Sequence, residues 1–177
     1  IAGQNIIFLP GAVLQILDQD DNVLDEWTTE NAQHVISKVL TPGETYTLHE
    51  VSAPDGYCVA EDIHFTLNDK GEFVKSDDYE SGEMWIRMKD LATKIEIQKD
   101  ENGKPLSGAA LQIIATDADG KETLVDSWIT DGSVHQIYGK LIAGQTYILR
   151  EASAPKGYAK AADQQIIVGT DGKVQNV

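Results

Sequence analysis

The sequence predicts an all-β protein made of two tandem immunoglobulin-like antiparallel β-sandwich domains. Three observations predict it: an internal duplication runs the length of the chain, apolar and polar residues alternate with period two, and turn residues separate the alternating runs.

The duplication comes first. Gly43-Glu44-Thr45-Tyr46-Thr47-Leu48-His49-Glu50 recurs as Gly144-Gln145-Thr146-Tyr147-Ile148-Leu149-Arg150-Glu151. Ala53-Pro54-Asp55-Gly56-Tyr57 recurs as Ala154-Pro155-Lys156-Gly157-Tyr158. The same offset of 101 positions relates Trp27 to Trp128, His34 to His135 and Gly71 to Gly172. Upstream, Gly11-Ala12-Val13-Leu14-Gln15-Ile16 matches Gly108-Ala109-Ala110-Leu111-Gln112-Ile113 at an offset of 97, so the second copy carries four extra residues near Asp117 to Gly120. The copies join near Leu91-Ala92-Thr93, without Gly or Pro, and so short a junction predicts a semi-rigid pair. The expected domains are 1–92 and 93–177, each about the size of an immunoglobulin-like domain.

The individual elements follow from alternation. Lys94-Ile95-Glu96-Ile97-Gln98-Lys99, Tyr46 to Glu50 and Ile63 to Leu67 read as strands with one apolar face. Asp20-Asp21-Asn22, Asn102-Gly103, Asp119-Gly120 and Asp171-Gly172 read as turns. Helical periodicity is weak throughout, so no helix longer than a turn or two is expected. His34 and His135 sit in short polar-apolar stretches where surface or capping roles are expected, while Trp27 and Trp128 read as shared scaffold.

Composition narrows the function classes. The net charge of −15 repels phosphate backbones and anionic membrane surfaces, so neither nucleic acid nor membrane is an expected partner. No run of about 18 apolar residues is present to span a bilayer. The single cysteine, Cys58, has no partner for an internal disulfide and no zinc-ligand spacing, and it reads as a buried or edge thiol. No Ser/His/Asp ordering, metal cluster or phosphate loop is recognisable, so neither a cofactor, a metal nor a turnover enzyme is expected.

Ionisable residues of three kinds share apolar faces. Lys99 lies on the face of Ile95 and Ile97; Glu151 on that of Tyr147 and Leu149, with Glu50 its counterpart beside Tyr46 and Leu48; Asp90 on that of Met84, Ile86 and Met88. A lysine desolvated among apolar groups loses its proton and becomes nucleophilic, and a carboxylic acid there stays protonated and can shuttle protons. Together these groups allow a lysine to attack a side-chain carbonyl and form an amide crosslink. Strand-end residues are also often solvated, and a buried salt bridge is a further outcome that sequence does not separate from a covalent bond.

The chain resembles the Cna B-type repeats, also called SpaA-like or prealbumin-like domains, of Gram-positive surface proteins and pilins. The resemblance rests on Leu106-Ser107-Gly108-Ala109, the Gly-x-Thr-Tyr-x-Leu-x-Glu runs ending at Glu50 and Glu151, the Ala-Pro-x-Gly-Tyr runs ending at Tyr57 and Tyr158, Met88-Lys89-Asp90 and Gln98-Lys99-Asp100. It implies a sandwich that forms an intramolecular isopeptide bond. The lysine comes from the first strand, the Asp or Asn acceptor from the last, and a promoting glutamate from the Tyr-x-Leu-x-Glu strand. By matching position, the promoting residues are Glu50 and Glu151 and the crosslinking residues are Lys99 and Asp90. The first copy opens with Ala2 opposite Lys99, so its lysine is expected upstream of Ile1. The second copy is expected to lack its last strand, since Asn176 aligns with Lys75 and not with Asp90.

The expected function is a stalk or backbone segment of a cell-wall-attached surface protein or pilus, with neighbouring domains of the same protein as partners, and other pilin subunits or host matrix beyond them. Its only chemistry would be a single self-crosslinking event. The competing expectation is an adhesin module that binds a host matrix ligand through its own surface.

Overall fold

Alternating runs rich in Val, Ile, Thr and Tyr form strands because β-branched and aromatic side chains pack well on a pleated, half-buried surface. The computed structural model describes residues 8–38 and 40–176. Among them are fifteen strands and no helix. The segment around Ala2, set opposite Lys99 by the repeat, lies outside the described residues, as does the side chain of Asn176. The chain divides into two units: Ile1–Pro54 with Val59–Leu91, and Asp55–Cys58 with Ala92–Val177.

The first unit contains β1 (Val13–Leu17), β2 (Val23–Thr28), β3 (Thr45–Ser52), β4 (Ile63–Thr66), β5 (Glu80–Ser81) and β6 (Ile86–Arg87). Four of them form an antiparallel sheet in the order β2-β1-β3-β4, and β5 and β6 form a hairpin. The β1–β2 turn is built by Asp18, whose Oδ1 accepts the backbone N–H groups of Asp20 and Asn22, both at 2.9 Å. Ile16, Tyr46, Leu48, Phe65 and Leu67 form the core, with Trp27, Phe73, Ile86 and Met88 packed against it.

The second unit contains β7 (Lys94–Ile97), β8 (Asp100–Glu101), β9 (Lys104–Pro105), β10 (Ser107–Thr116), β11 (Glu122–Asp131), β12 (His135–Tyr138), β13 (Thr146–Ser153), β14 (Gln164–Val168) and β15 (Val174–Asn176). Five form one sheet, β11-β10-β13-β14-β15, and β7 pairs with β12 in a second. Ile95 and Ile137 from the small sheet pack on Ile113, Tyr147, Ile166 and Val168 from the large one, which makes the sandwich. Asn102-Gly103 turns the β8–β9 hairpin with positive φ at both residues, as a type I′ turn needs. The fold is therefore the tandem all-β architecture that repeat and alternation predict.

Each copy repeats one corner. The hydroxyl of Tyr46 accepts the N–H of Thr41 at 2.8 Å, and that of Tyr147 accepts the N–H of Ile142 at 2.8 Å. Both rings are buried, and each hydroxyl ties the loop before its strand to the strand's inner face.

One sequence expectation changes. Met84 is not on the core face: it is 74% exposed, because Gly82 N–H donates to the Trp85 carbonyl and turns the chain before β6 begins. The inward parity of this segment starts only at Ile86. The histidines hold the surface positions expected of them, His34 exposed and His135 half-buried, and they also stack on the tryptophans. His34 lies 4.1 Å from Trp27 at 7°, and His135 lies 4.1 Å from Trp128 at 11°. Their Nε2 atoms reach Asp25 at 3.1 Å and Asp126 at 2.9 Å. In the second unit this links β11 of the large sheet to β12 of the small one. We expect His135→Ala to cost about 1 kcal/mol, read as faster amide exchange along β12, because it removes both the stack and the bond to Asp126. Unchanged protection of β12 would show the stack to be energetically idle.

Candidate functional site

Strand alternation sends every second residue of β3 and β13 inward, and the final inward position of each is a glutamate. Glu50 is 1% and Glu151 3% exposed, among the few charged residues buried in either unit. Both sit at a bulge. Leu14 pairs with Glu50 but Val13 with Ser52, leaving Val51 extra; Leu111 pairs with Glu151 but Ala110 with Ser153, leaving Ala152 extra. A bulge bends the strand and ends its regular alternation, so each glutamate is the last residue aimed at the core.

The Ala-Pro-x-Gly-Tyr segment then returns to the same carboxyl. Its proline lies beside a glycine in the left-handed region: Gly11 has φ of +99° and Gly108 of +92°, and a Cβ there would be in ordinary contact with Pro54 and Pro155 respectively. Ten residues after each glutamate the returning backbone donates to it. Ala60 N–H reaches Glu50 Oε2, and Ala161 N–H reaches Glu151 Oε2, both at 2.5 Å. The other oxygen of each, Oε1, is buried without a hydrogen-bond partner among the described residues.

In the second unit Lys99 faces that oxygen. Its Nζ lies 3.3 Å from Glu151 Oε1, close enough for an ion pair but without hydrogen-bond geometry, and its side chain is 23% exposed. Lys99 is placed by β7, whose Ile95 is in the core, and by the β8–β9 hairpin, where Leu106 N–H donates to the Lys99 carbonyl. Lys99 and Glu151 line a cleft of about 220 Å³ with Ile97, Leu111, Leu149 and Ala161.

In the first unit Asp90 follows β6 and lies near enough to Glu50 to raise its pKa. Burial is the larger cause: it pushes the Glu50 carboxyl up, the Ala60 amide pulls it back, Asp90 adds to the rise and His49 opposes it. Burial also raises Asp90. A carboxyl whose folded-state pKa is raised favours the fold below that range and ceases to as pH rises through it. Glu50→Gln keeps an acceptor for Ala60 and removes the ionisation. We expect it to stabilise the first unit at about pH 7, with the gain fading toward about pH 4, in urea melts run side by side with the parent. An equal gain at both pH values would refute the assignment.

Sequence reasoning named Glu50, Glu151, Lys99 and Asp90, and the structure places Lys99 against Glu151 and Asp90 in the electrostatic reach of Glu50. It missed the two alanine amides and the bulges. The only available signal was that Ala60 and Ala161 are again 101 positions apart. Among the described residues no group of three or more His, Cys, Asp or Glu side chains converges to hold a metal ion, and no helix is long and apolar enough to cross a membrane.

The profile of the SpaA prealbumin-like fold domain matches this chain twice, over residues 5–80 and 93–177. The chain belongs to that family. Solved structures similar to this tandem of SpaA-type domains include a pilus adhesin, a TIE protein and a shaft pilin. The pilus adhesin SpaC of Lactobacillus rhamnosus GG, in an open conformation, is 17% identical with a TM-score of 0.36, over 92% of this chain and 24% of that one. The Bacillus anthracis TIE protein is 23% identical with a TM-score of 0.39, over 93% and 29%. The shaft pilin SpaA of Lactobacillus rhamnosus GG is 16% identical with a TM-score of 0.35, over 92% and 84%. The tandem thus spans less than a third of the adhesin and of the TIE protein. None of the curated proteins matches the chain.

Proposed function

We propose that this tandem of SpaA-type domains, 1–92 and 93–177, is a load-bearing stalk or backbone segment of a cell-wall-attached surface protein or pilus. Each domain would be closed by a self-formed isopeptide bond. Its partners are then the neighbouring domains of the same protein and, in a pilus, other subunits. The observation that carries the reading is the pairing of half-buried Lys99 with buried Glu151, Nζ 3.3 Å from Oε1. A charged carboxylate is a costly way to fill a core position, and a reaction that consumes the charge offers a reason to keep it there.

The chemistry balances without a cofactor. Proton transfer from the Lys99 ammonium to the Glu151 carboxylate leaves a neutral amine and a neutral acid. The amine attacks the side-chain carbonyl of an Asp or Asn; an N–C bond forms and the C–O or C–N bond to the leaving group breaks. The acid gives its proton to the departing water or ammonia and takes up the one that the attacking nitrogen sheds as the amide forms, so it ends neutral. In the first domain Asp90 is the acceptor and Glu50 takes the role of Glu151. Glu50 and Asp90 both carry raised pKa values, which favours the protonated acid that makes water a leaving group.

Intact mass spectrometry of a chain lengthened at both ends tests the reading. We expect the loss of one water or one ammonia per closed domain, with a tryptic peptide joining Lys99 to its acceptor and another joining Asp90 to a lysine. A full, unreduced mass for a folded chain with both flanks present would overturn it.

A further inference from the structure

The glutamates are held by one oxygen only, and the same one in both units. Oε2 accepts a backbone N–H at 2.5 Å, from Ala60 in one and Ala161 in the other, while Oε1 is buried without a hydrogen-bond partner among the described residues. The donor is fixed. It lies ten residues downstream, at the end of a segment that starts at a bulge and passes a proline seated beside a left-handed glycine. An N–H pointing at Oε2 occupies that oxygen as an acceptor and opposes an O–H on the same atom. When the carboxyl is neutral, its proton therefore sits on Oε1. In the second unit Oε1 is the oxygen 3.3 Å from the Lys99 amine.

We propose that Ala60 and Ala161 are positioning residues, whose backbone N–H groups fix the exchangeable proton of Glu50 and Glu151 on Oε1, which in the second unit is the oxygen that faces the Lys99 amine. The idea rests on the crosslinking reading and adds to it a function for the Ala-Pro-x-Gly-Tyr return segment. A carboxyl free to rotate would present its proton on either oxygen; one held by a single fixed amide presents it on one. At Glu50 the amide also opposes the rise that burial causes, so that carboxyl stays able to release its proton as well as hold it. Around Glu50 the other charged groups are Asp90 and His49, and only His49 acts in the same direction as the amide.

Two measurements decide it. The first uses the chain as it is. In an NMR pH titration the amide proton of Ala60 should lie downfield and move with the ionisation of Glu50, read from its side-chain carboxyl carbon. In Glu50→Gln the amide should stay downfield and stop moving with pH. Ala60→Gly, which keeps the N–H, should titrate like the parent. An Ala60 amide that ignores Glu50 ionisation would overturn the proposal, and this holds whether or not the protein crosslinks. The second uses the lengthened chain. Ala161→Pro removes the donor and should slow closure of the second domain by roughly tenfold or more, with a shifted pH–rate profile, while Ala161→Gly closes at the parental rate. Equal rates and profiles for the proline and glycine variants would also overturn it. If the lengthened parent never closes, the crosslinking reading fails, and the titration alone decides the positioning of the proton.

Discussion

Glu151→Ala, made in a chain lengthened at both ends, should fold and keep its full mass across the second domain, while the parent loses one water or one ammonia there. The alanine removes the group that takes the proton from Lys99 and returns it to the leaving group, so uncatalysed attack is left. Lys99→Arg should give the same mass result, because guanidinium stays protonated and does not attack. Both variants should lose the stability that closure provides. A loop of roughly 90 residues closed by a covalent tie is worth about 4–5 kcal/mol on the chain-entropy treatment of crosslinks. In the variants that difference should appear as a lower denaturant midpoint with an unchanged native fold. Closure of Glu151→Ala at the parental rate would remove the glutamate from the mechanism.

Ile113→Ala should have the largest effect of any single core change in the second unit, about 3 kcal/mol. Ile113 is fully buried, lies in the middle of β10, and packs with Ile95, Ile137 and Tyr147 from both sheets. Its truncation leaves a cavity at the centre of the sandwich that the two hydrogen-bonded sheets cannot collapse to fill. Urea unfolding followed by hydrogen exchange in β10 and β13 measures it. A loss below about 1 kcal/mol would mean that the layer relaxes around the missing atoms, against the reading of a rigid core.

What sequence could reach was set by how each feature is encoded. Side-chain alternation is written in residue types, so the inner faces of β3, β7 and β13 were legible from Tyr46, Leu48, Ile95, Tyr147 and Leu149. The same rule failed at Met84, where a tight turn through Gly82 interrupts the strand and its parity. The hold on Glu50 and Glu151 was not legible because its donor is backbone. Alanine has no polar side chain to draw attention, and a bulge is one extra residue with no fixed composition: Val51 in one copy, Ala152 in the other. The Trp–His–Asp arrangement lay between these cases. Asp25, Trp27 and His34 recur as Asp126, Trp128 and His135 at a common offset, which marks them as linked. That His34 lies flat on Trp27 depends on how the chain turns between them, which residue types do not specify.

The stacked pairs also give the protein an optical signal of its own. Trp128 is the one tryptophan in the sequence of the second unit, and its indole lies 4.1 Å from the imidazole of His135, nearly parallel to it. An indole in face contact with an imidazole emits differently from one in water, and the contact exists only while β11 and β12 are held together. Emission from a Trp27→Phe, Trp85→Phe chain would therefore report, without any attached dye, the moment at which that corner opens under heat, denaturant or an applied pull.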